Sequence, residues 1–214
     1  MGKNGIHTIL ELKFKRLIYS PLTLEVYVEM KSRREVLGLR IAGLDSSEKL
    51  EYVGIIIGES GQLRDLYRRL KAKYWRLHCK KLPESLGRSL AASLLEGNAT
   101  FICVCTRMSE VVREVAATLL ARGVRTPRKA IRLRGERALG RYLAGLLLKH
   151  SVERVYADKE LIPLLVDVGI MATPGFASEL ADPVAWANYK RLSIESLEEV
   201  DISEYLIEAV LKKT

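Results

Sequence analysis

The chain is poor in the residues that build disulfide scaffolds, zinc sites and membrane spans. It has 3 cysteines in 214 residues and no Cys-x-x-Cys pair. This argues against a disulfide framework and against zinc, and favours a reducing compartment in which the thiols act as small apolar residues. No apolar run reaches the roughly 18 residues needed to cross a bilayer, and the first residues lack the pattern of a signal peptide. We therefore expect a cytoplasmic protein without a membrane partner.

Asparagine and glutamine are also scarce, whereas arginine, leucine and glutamate are frequent. This bias is common in heat-adapted proteins. The chain has 35 Lys and Arg residues against 26 Asp and Glu residues, which gives a net charge of +9. Such an excess predicts attraction to a polyanion, nucleic acid above all. A solvated, arginine-rich surface without such a partner would have the same composition.

Alternating strand and helix patterns predict an α/β fold. Leu39–Ile57 contains two β-branched runs around the polar segment DSSEK, which predicts a β-hairpin. Residues 99–108 have the composition of a buried strand, 109–123 have the pattern of a capped helix, and 74–82 alternate as a third strand would. We expect one domain with a mixed sheet flanked by helices. Its predicted parts are an N-terminal extension at 1–36, a core at 37–192 and a C-terminal helix at 193–214.

Three aspartates stand at the predicted ends of separate elements. Asp45 is at the tip of the hairpin, Asp158 ends the strand VERVYAD, and Asp182 opens the segment ADPVAWANYKR. Carboxylates held at such ends can bind a metal ion or move a proton. Each also has a purely local explanation: Asp45 as a turn residue, and Asp158 and Asp182 as helix N-caps, the last with Pro183 behind it.

The same residues resemble the ribonuclease H-like superfamily, in particular little-characterised archaeal and bacterial families. In those families an Asp-x-Ser-Gly turn closes the first strand, a second Asp ends a later central strand, and a third lies on a helix near the C-terminus. The matching segments here are GLDSSEK with Asp45, VYADKE with Asp158 and SELADPVAWANYKR with Asp182. The resemblance spans about residues 37–192 and implies a ribonuclease H-like mixed sheet flanked by helices.

The function that this resemblance implies is metal-dependent hydrolysis of phosphodiester bonds in RNA or DNA. Asp45, Asp158 and Asp182 would bind Mg²⁺ or Mn²⁺ and act as catalytic residues, since these ions prefer carboxylate oxygens. The first turn lacks the glycine of the family pattern, and Arg76 stands where related families often have a fourth acid. Glu84 is the predicted fourth catalytic carboxylate.

Two alternatives remain open from the sequence. Glu59, in the segment GESG, could supply the fourth carboxylate instead of Glu84. If the carboxylate set is incomplete, the chain would be a non-catalytic nucleic-acid-binding protein with a degenerate ribonuclease H-like site.

The densest positive segment runs from Arg122 to Arg141, with Glu136 as its one acid. It predicts contact with a phosphate backbone beside the aspartates, or else the solvated face of a helix. Trp75, next to basic residues, could stack on a base, and His78 could move a proton or bind metal, although packing roles are commoner for both. The predicted nucleic-acid contacts are Arg125, Arg128, Lys129, Arg132 and Arg134.

Overall fold

A mixed β-sheet forms the centre of the computed structural model, which describes residues 38–192 and 196–212. Within these residues the strands follow the order β5-β4-β1-β2-β3-β6. β2 is antiparallel to β1 and β3, whereas β1 and β4, β4 and β5, and β3 and β6 are parallel pairs. The strands are β1 (Arg40–Ser47), β2 (Tyr52–Glu59), β3 (Thr100–Cys105), β4 (Arg154–Ala157), β5 (Ala172–Thr173) and β6 (Leu197–Asp201).

Helices cover both faces of this sheet. They are α1 (Ser60–Lys73), α2 (Glu84–Leu95), α3 (Met108–Ala121), α4 (Arg128–Lys149), α5 (Leu161–Val166), α6 (Phe176–Tyr189) and α7 (Ser203–Leu211). Because successive side chains of a strand point to opposite faces, each strand contributes to two cores. Ala42 and Leu44 pack with α3, α4, α5 and α7. Ile41 packs on the other face with α1, α2 and α6.

Helix α6 lies directly against the backbone of β1 and β2. Its face toward the sheet consists of Ala177, Ala181 and Ala185, which are four residues apart and therefore share one side of the helix. A Cβ atom added at Gly43 would overlap the carbonyl of Ala177, and one added at Gly54 would overlap the backbone of Ala181 and Ala185. The glycine–alanine contact therefore brings helix side chains unusually close to the strands.

The α/β architecture with a mixed sheet is confirmed, and the hairpin of 39–57 is present. Its turn is not DSSEK, however, because β1 continues to Ser47 and the chain reverses at 48–51. Ser46 N–H donates a hydrogen bond to Asp158 Oδ2, which holds the polar residues in the strand. The local pattern of turn residues does not reveal this long-range contact.

The predicted third strand at 74–82 is wrong. This segment has no strand, and Cys79–Lys81 form a short 3-10 helix. Its buried residues are Tyr74, Leu77, Cys79 and Leu82, whose spacing of three, two and three residues differs from that of a strand. They hold the segment against the core while the residues between them face outward.

The C-terminal region contributes a strand as well as a helix. β6 pairs with β3 and α7 packs in the core formed with α3 and α4, so the described part of 193–214 belongs to the sheet domain. The predicted N-terminal extension, 1–36, lies outside the described residues. No helix in the described part of the chain is long and apolar enough to cross a membrane.

Candidate functional site

Asp45 lies inside strand β1, opposite Gly54 of β2. It follows Ile41 and Gly43 at two-residue spacing, so its side chain is on the face of the sheet that α6 covers. The residue is half-buried. Its interpretation as a simple turn residue is therefore wrong.

Asp182 lies in the middle of α6 and not at its beginning. It is 7% exposed, and both carboxylate oxygens have partners in the loop that follows α1. Cys79 N–H donates to Oδ2 at 2.6 Å, and His78 Nδ1 lies 2.8 Å from Oδ1. The N-cap explanation of Asp182 is wrong, because the helix begins at Phe176 and passes through Pro183.

Asp158 follows strand β4, which pairs in parallel with β1, and its N–H donates to the carbonyl of Leu44 at 3.0 Å. Its Oδ1 accepts a hydrogen bond from Leu161 N–H at 2.9 Å. Its Oδ2 accepts from the N–H of Ser46 at 2.9 Å and from the hydroxyl of Ser46 at 2.6 Å. Asp158 therefore caps the turn before α5, in agreement with its interpretation as a helix N-cap. It also holds the end of β1 through Ser46.

The carboxyl groups of the three aspartates meet at Asp45. Asp45 is in hydrogen-bonding contact with both Asp182 and Asp158. Burial, followed by the negative charges of Asp182 and Asp158, raises the pKa of Asp45 to about 9. Without a cation, Asp45 is therefore protonated at neutral pH and shares its proton with a neighbouring carboxylate.

This arrangement is not a ready-made metal cage. Among residues 38–192 and 196–212, no group of three or more His, Cys, Asp or Glu side chains is arranged to hold a metal ion. Asp45 is the common member of two contacts, and the oxygens of Asp158 and Asp182 are engaged by other donors. A cation would have to replace the proton of Asp45 and compete with those hydrogen bonds.

A pocket of about 290 Å³ opens beside Asp45 and Asp182. Its other lining residues come from α1, from α6 and from the loop between α1 and α2: Lys71, Arg76, Leu77, His78, Lys81, Ser178 and Glu179. Asp158 contacts Asp45 but is not part of the lining. The pocket therefore combines acidic groups at its base with basic groups around them.

Neither predicted fourth carboxylate belongs to this pocket. Glu84 is exposed at the start of α2, with its Oε1 2.8 Å from Arg88 Nη2 and its Oε2 3.8 Å from Lys190 Nζ. The hydrogen bond from Arg88 lowers the pKa of Glu84. Glu59 pairs with Arg40 at the far end of β1, five residues or about 17 Å of strand from Asp45.

Besides Asp45 and Asp182, a third carboxylate lines the pocket. It belongs to Glu179, which the sequence analysis did not identify. Its Oε2 lies 2.9 Å from Lys71 Nζ and accepts a hydrogen bond from the Tyr67 hydroxyl at 3.2 Å. Glu179 precedes Asp182 by three residues, a spacing that puts both on one face of a helix. The interpretation of Asp182 as an N-cap left Glu179 outside the helix, whereas the helix begins at Phe176 and includes both residues.

Four of the predicted nucleic-acid contacts, Arg128, Lys129, Arg132 and Arg134, belong to α4, which packs on the other face of the sheet. Ile131 and Leu139 of α4 pack against Ala42 and Leu44, whereas the aspartate pocket lies on the α6 face. Arg132 approaches the β1–β2 turn, where it donates to the carbonyl of Lys49 at 3.1 Å. None of Arg125, Arg128, Lys129, Arg132 and Arg134 lines the aspartate pocket. Their contact with nucleic acid stays a prediction.

We expect the stability of the wild-type chain to fall relative to that of Asp45→Asn as pH rises. Because the folded state keeps the Asp45 proton up to a pKa of about 9, whereas the unfolded state releases it near 3.8, the free energy of unfolding decreases between these values. One proton corresponds to at most about 1.4 kcal/mol per pH unit. The asparagine amide donates a hydrogen bond at every pH and lacks this dependence.

Urea unfolding of the wild-type protein and of Asp45→Asn, at about pH 5, 7 and 9 without divalent cations, measures the difference between their free energies of unfolding. Asp65→Asn is the matched control, because Asp65 is exposed on α1 and pairs with Arg68. If the free energies of unfolding of wild type and Asp45→Asn differ by the same amount at every pH, the convergence of the three carboxyl groups is contradicted.

Comparison with known proteins gives no match: no protein family, no curated protein and no solved structure is significantly similar to the chain. A functional assignment therefore depends on the chemistry of its own residues.

Proposed function

We propose that the chain is a metal-dependent nuclease of ribonuclease H-like fold that hydrolyses phosphodiester bonds in RNA or DNA. The observation that supports this most directly is the contact of Asp45 with both Asp158 and Asp182, which come from distant parts of the sequence. A purely structural core gains nothing from bringing three carboxyl groups together, because the charged forms repel each other and lose hydration. Such clusters are typical of functional sites.

The placement of the three aspartates also supports the ribonuclease H-like assignment. Asp45 is on the first described strand beside its hairpin partner, and Asp158 ends a later strand that pairs with the first. Asp182 is on a helix near the C-terminus that packs on those strands. These are the positions that the resemblance implies for the metal-binding aspartates.

The donor set fits a hard divalent cation. Asp45, Asp158 and Asp182 would hold Mg²⁺ or Mn²⁺, since both ions prefer carboxylate oxygens, and a cation would offset the burial and the repulsion that together keep Asp45 protonated. When bound, the metal supplies stabilisation of the charge that builds on the phosphate and lowers the pKa of an attacking water.

The remaining pocket residues suit a phosphodiester substrate. Lys71, Arg76 and Lys81 line the pocket next to the aspartates and provide positive charge for phosphate oxygens. Asp182 is fixed by the Cys79 N–H and contacts His78, so the carboxylate has a defined orientation before substrate arrives.

The second candidate function is non-catalytic binding of nucleic acid. It is favoured by the absence, within the described ranges, of a ready-made group of three metal ligands, and by the local hydrogen bonds that occupy both oxygens of Asp158. Such a protein would use the basic residues of the pocket without turnover.

Incubation with end-labelled RNA and DNA, with Mg²⁺, with Mn²⁺ or with EDTA, tests the proposal. We expect cleavage with either metal and none with EDTA. Salt-dependent binding without cleavage under all three conditions would support the second function instead. Neither binding nor cleavage at low salt would contradict both.

The two glutamates provide a further test. Glu179→Gln should lower the cleavage rate about tenfold, because it removes the ion pair that holds the Lys71 ammonium group in position beside the pocket. Glu84→Gln, a chemically identical change at an exposed surface pair, should leave the rate within about twofold. Initial rates at saturating metal measure both. The opposite order would restore the sequence-based choice of Glu84.

A further inference from the structure

An exposed tryptophan side chain, Trp75, lies against Arg76, one of the residues that line the aspartate pocket. Trp75 is 64% exposed, although its neighbours Tyr74 and Leu77 are 4% and 2% exposed. The buried neighbours fix the backbone of this segment, so the indole is presented from a rigid support. Single exposed apolar residues are common on protein surfaces, and exposure alone identifies no role.

The position of Arg76 gives the exposed Trp75 ring a neighbour in the pocket lining. The Arg76 guanidinium lies 4.4 Å from the centre of the Trp75 ring, a cation–π contact. Arg76 also lines the pocket that contains Asp45 and Asp182. The ring is therefore in contact with a residue that lines the aspartate pocket.

Positive charge surrounds the same position. Lys71 and Lys81 line the pocket together with Arg76. Proteins that bind single-stranded nucleic acid combine basic groups along the phosphate backbone with exposed aromatic rings on which bases stack. In a duplex the base faces are covered by neighbouring base pairs, so only an unpaired base offers its face to an indole.

We infer that Trp75 and Arg76 form a stacking site for an unpaired base, and that the pocket accepts single-stranded nucleic acid with a phosphate near the aspartates. This inference rests on the proposed function for its substrate class and adds the strandedness of that substrate. Arg76, which stands where the ribonuclease H-like resemblance predicts an acid, thereby gains a role in binding.

Intrinsic fluorescence offers a direct measurement, because the chain has 2 tryptophans and Trp186 is only 5% exposed. Unlabelled single-stranded DNA or RNA of mixed sequence, added in EDTA so that no cleavage occurs, should quench the Trp75 emission. The same titration with Trp75→Phe, in which only the buried Trp186 remains, should show no quenching.

Affinity for a fluorescent single-stranded oligonucleotide, measured by anisotropy in EDTA, should fall about tenfold in Trp75→Ala and less in Trp75→Phe. The wild-type protein should bind the matching duplex more weakly than the single strand. Trp75→Ala should leave the affinity for the duplex unchanged. Leu120→Ala is the control, since Leu120 is 62% exposed and belongs to α3 on the other face of the sheet.

Equal affinity for single strand and duplex, or an unchanged single-strand affinity in Trp75→Ala, would overturn the inference even if the chain cleaves nucleic acid. Trp75-dependent binding of single strands by a chain that never cleaves would sustain the inference and reject the nuclease. No binding to any nucleic acid at low salt would overturn both.

Discussion

Asp45→Asn is expected to reduce metal-dependent cleavage of RNA and DNA about a thousandfold. Asp45 is the residue that contacts both other aspartates, so under the proposed function its carboxylate would be needed to hold a divalent cation. Asparagine has nearly the same size but no charge, and it has one oxygen where aspartate has two. Initial rates with Mg²⁺ and Mn²⁺, compared with wild type, measure the effect.

The expected loss of activity is separable from a loss of folding. The asparagine amide can donate to Asp158 or Asp182 as the protonated Asp45 carboxyl does, so the variant should be folded at neutral pH and at least as stable as wild type. Asp65→Asn, the same change at an exposed position of α1, should keep full activity. Asp45→Asn with wild-type activity would eliminate the proposed nuclease site.

Gly43→Ala is expected to lower the free energy of unfolding by about 3 kcal/mol. The added Cβ would overlap the carbonyl of Ala177, which belongs to the backbone of α6 and cannot rotate away as a side chain could. Either α6 or β1 must shift, and Asp182 on α6 would then move relative to Asp45. We therefore expect cleavage to fall together with stability.

Gly145→Ala is the matched control for this substitution. Gly145 is exposed in the interior of α4, and an added Cβ there meets no atom within 4 Å. Alanine favours a helix over glycine, so this variant should gain about 0.5–1 kcal/mol. Urea unfolding of both variants measures the two changes. A Gly43→Ala chain as stable as wild type would contradict the direct seating of α6 on β1.

Local patterns predicted the elements whose residues are regular over a long stretch. The strand around Phe101, the helix after Met108 and the hairpin at 39–57 all have consistent spacing of apolar residues, and all are present. The segment 74–82 failed because its buried residues are set by packing against α2 and α6 and not by a repeating geometry. The prediction that a helix begins at Asp182 and Pro183 failed for a similar reason. The alanines of α6 pack on glycines of the sheet on both sides of Pro183, and the helix runs through the proline.

The candidate site was predicted in part. The three aspartates were identified from their positions at the ends of apolar segments, and the structure brings them together. Glu179, Lys71 and Lys81 were missed because their membership depends on which faces of α1 and α6 border the pocket. Glu84 was assigned to the site on residue type alone, and packing places it on the exposed surface at the start of α2. The basic run was assigned on charge alone, and none of its predicted contacts lines the pocket.

The α/β class of the fold and the basic character of the chain follow from the sequence alone, because the spacing of apolar residues and the net charge can be assessed without tertiary contacts. Which charged groups meet depends on the tertiary structure. It is set by strand register, by the face to which each side chain points, and by the close contact of α6 with Gly43 and Gly54. These are distances between residues far apart in the chain, and no local pattern encodes them.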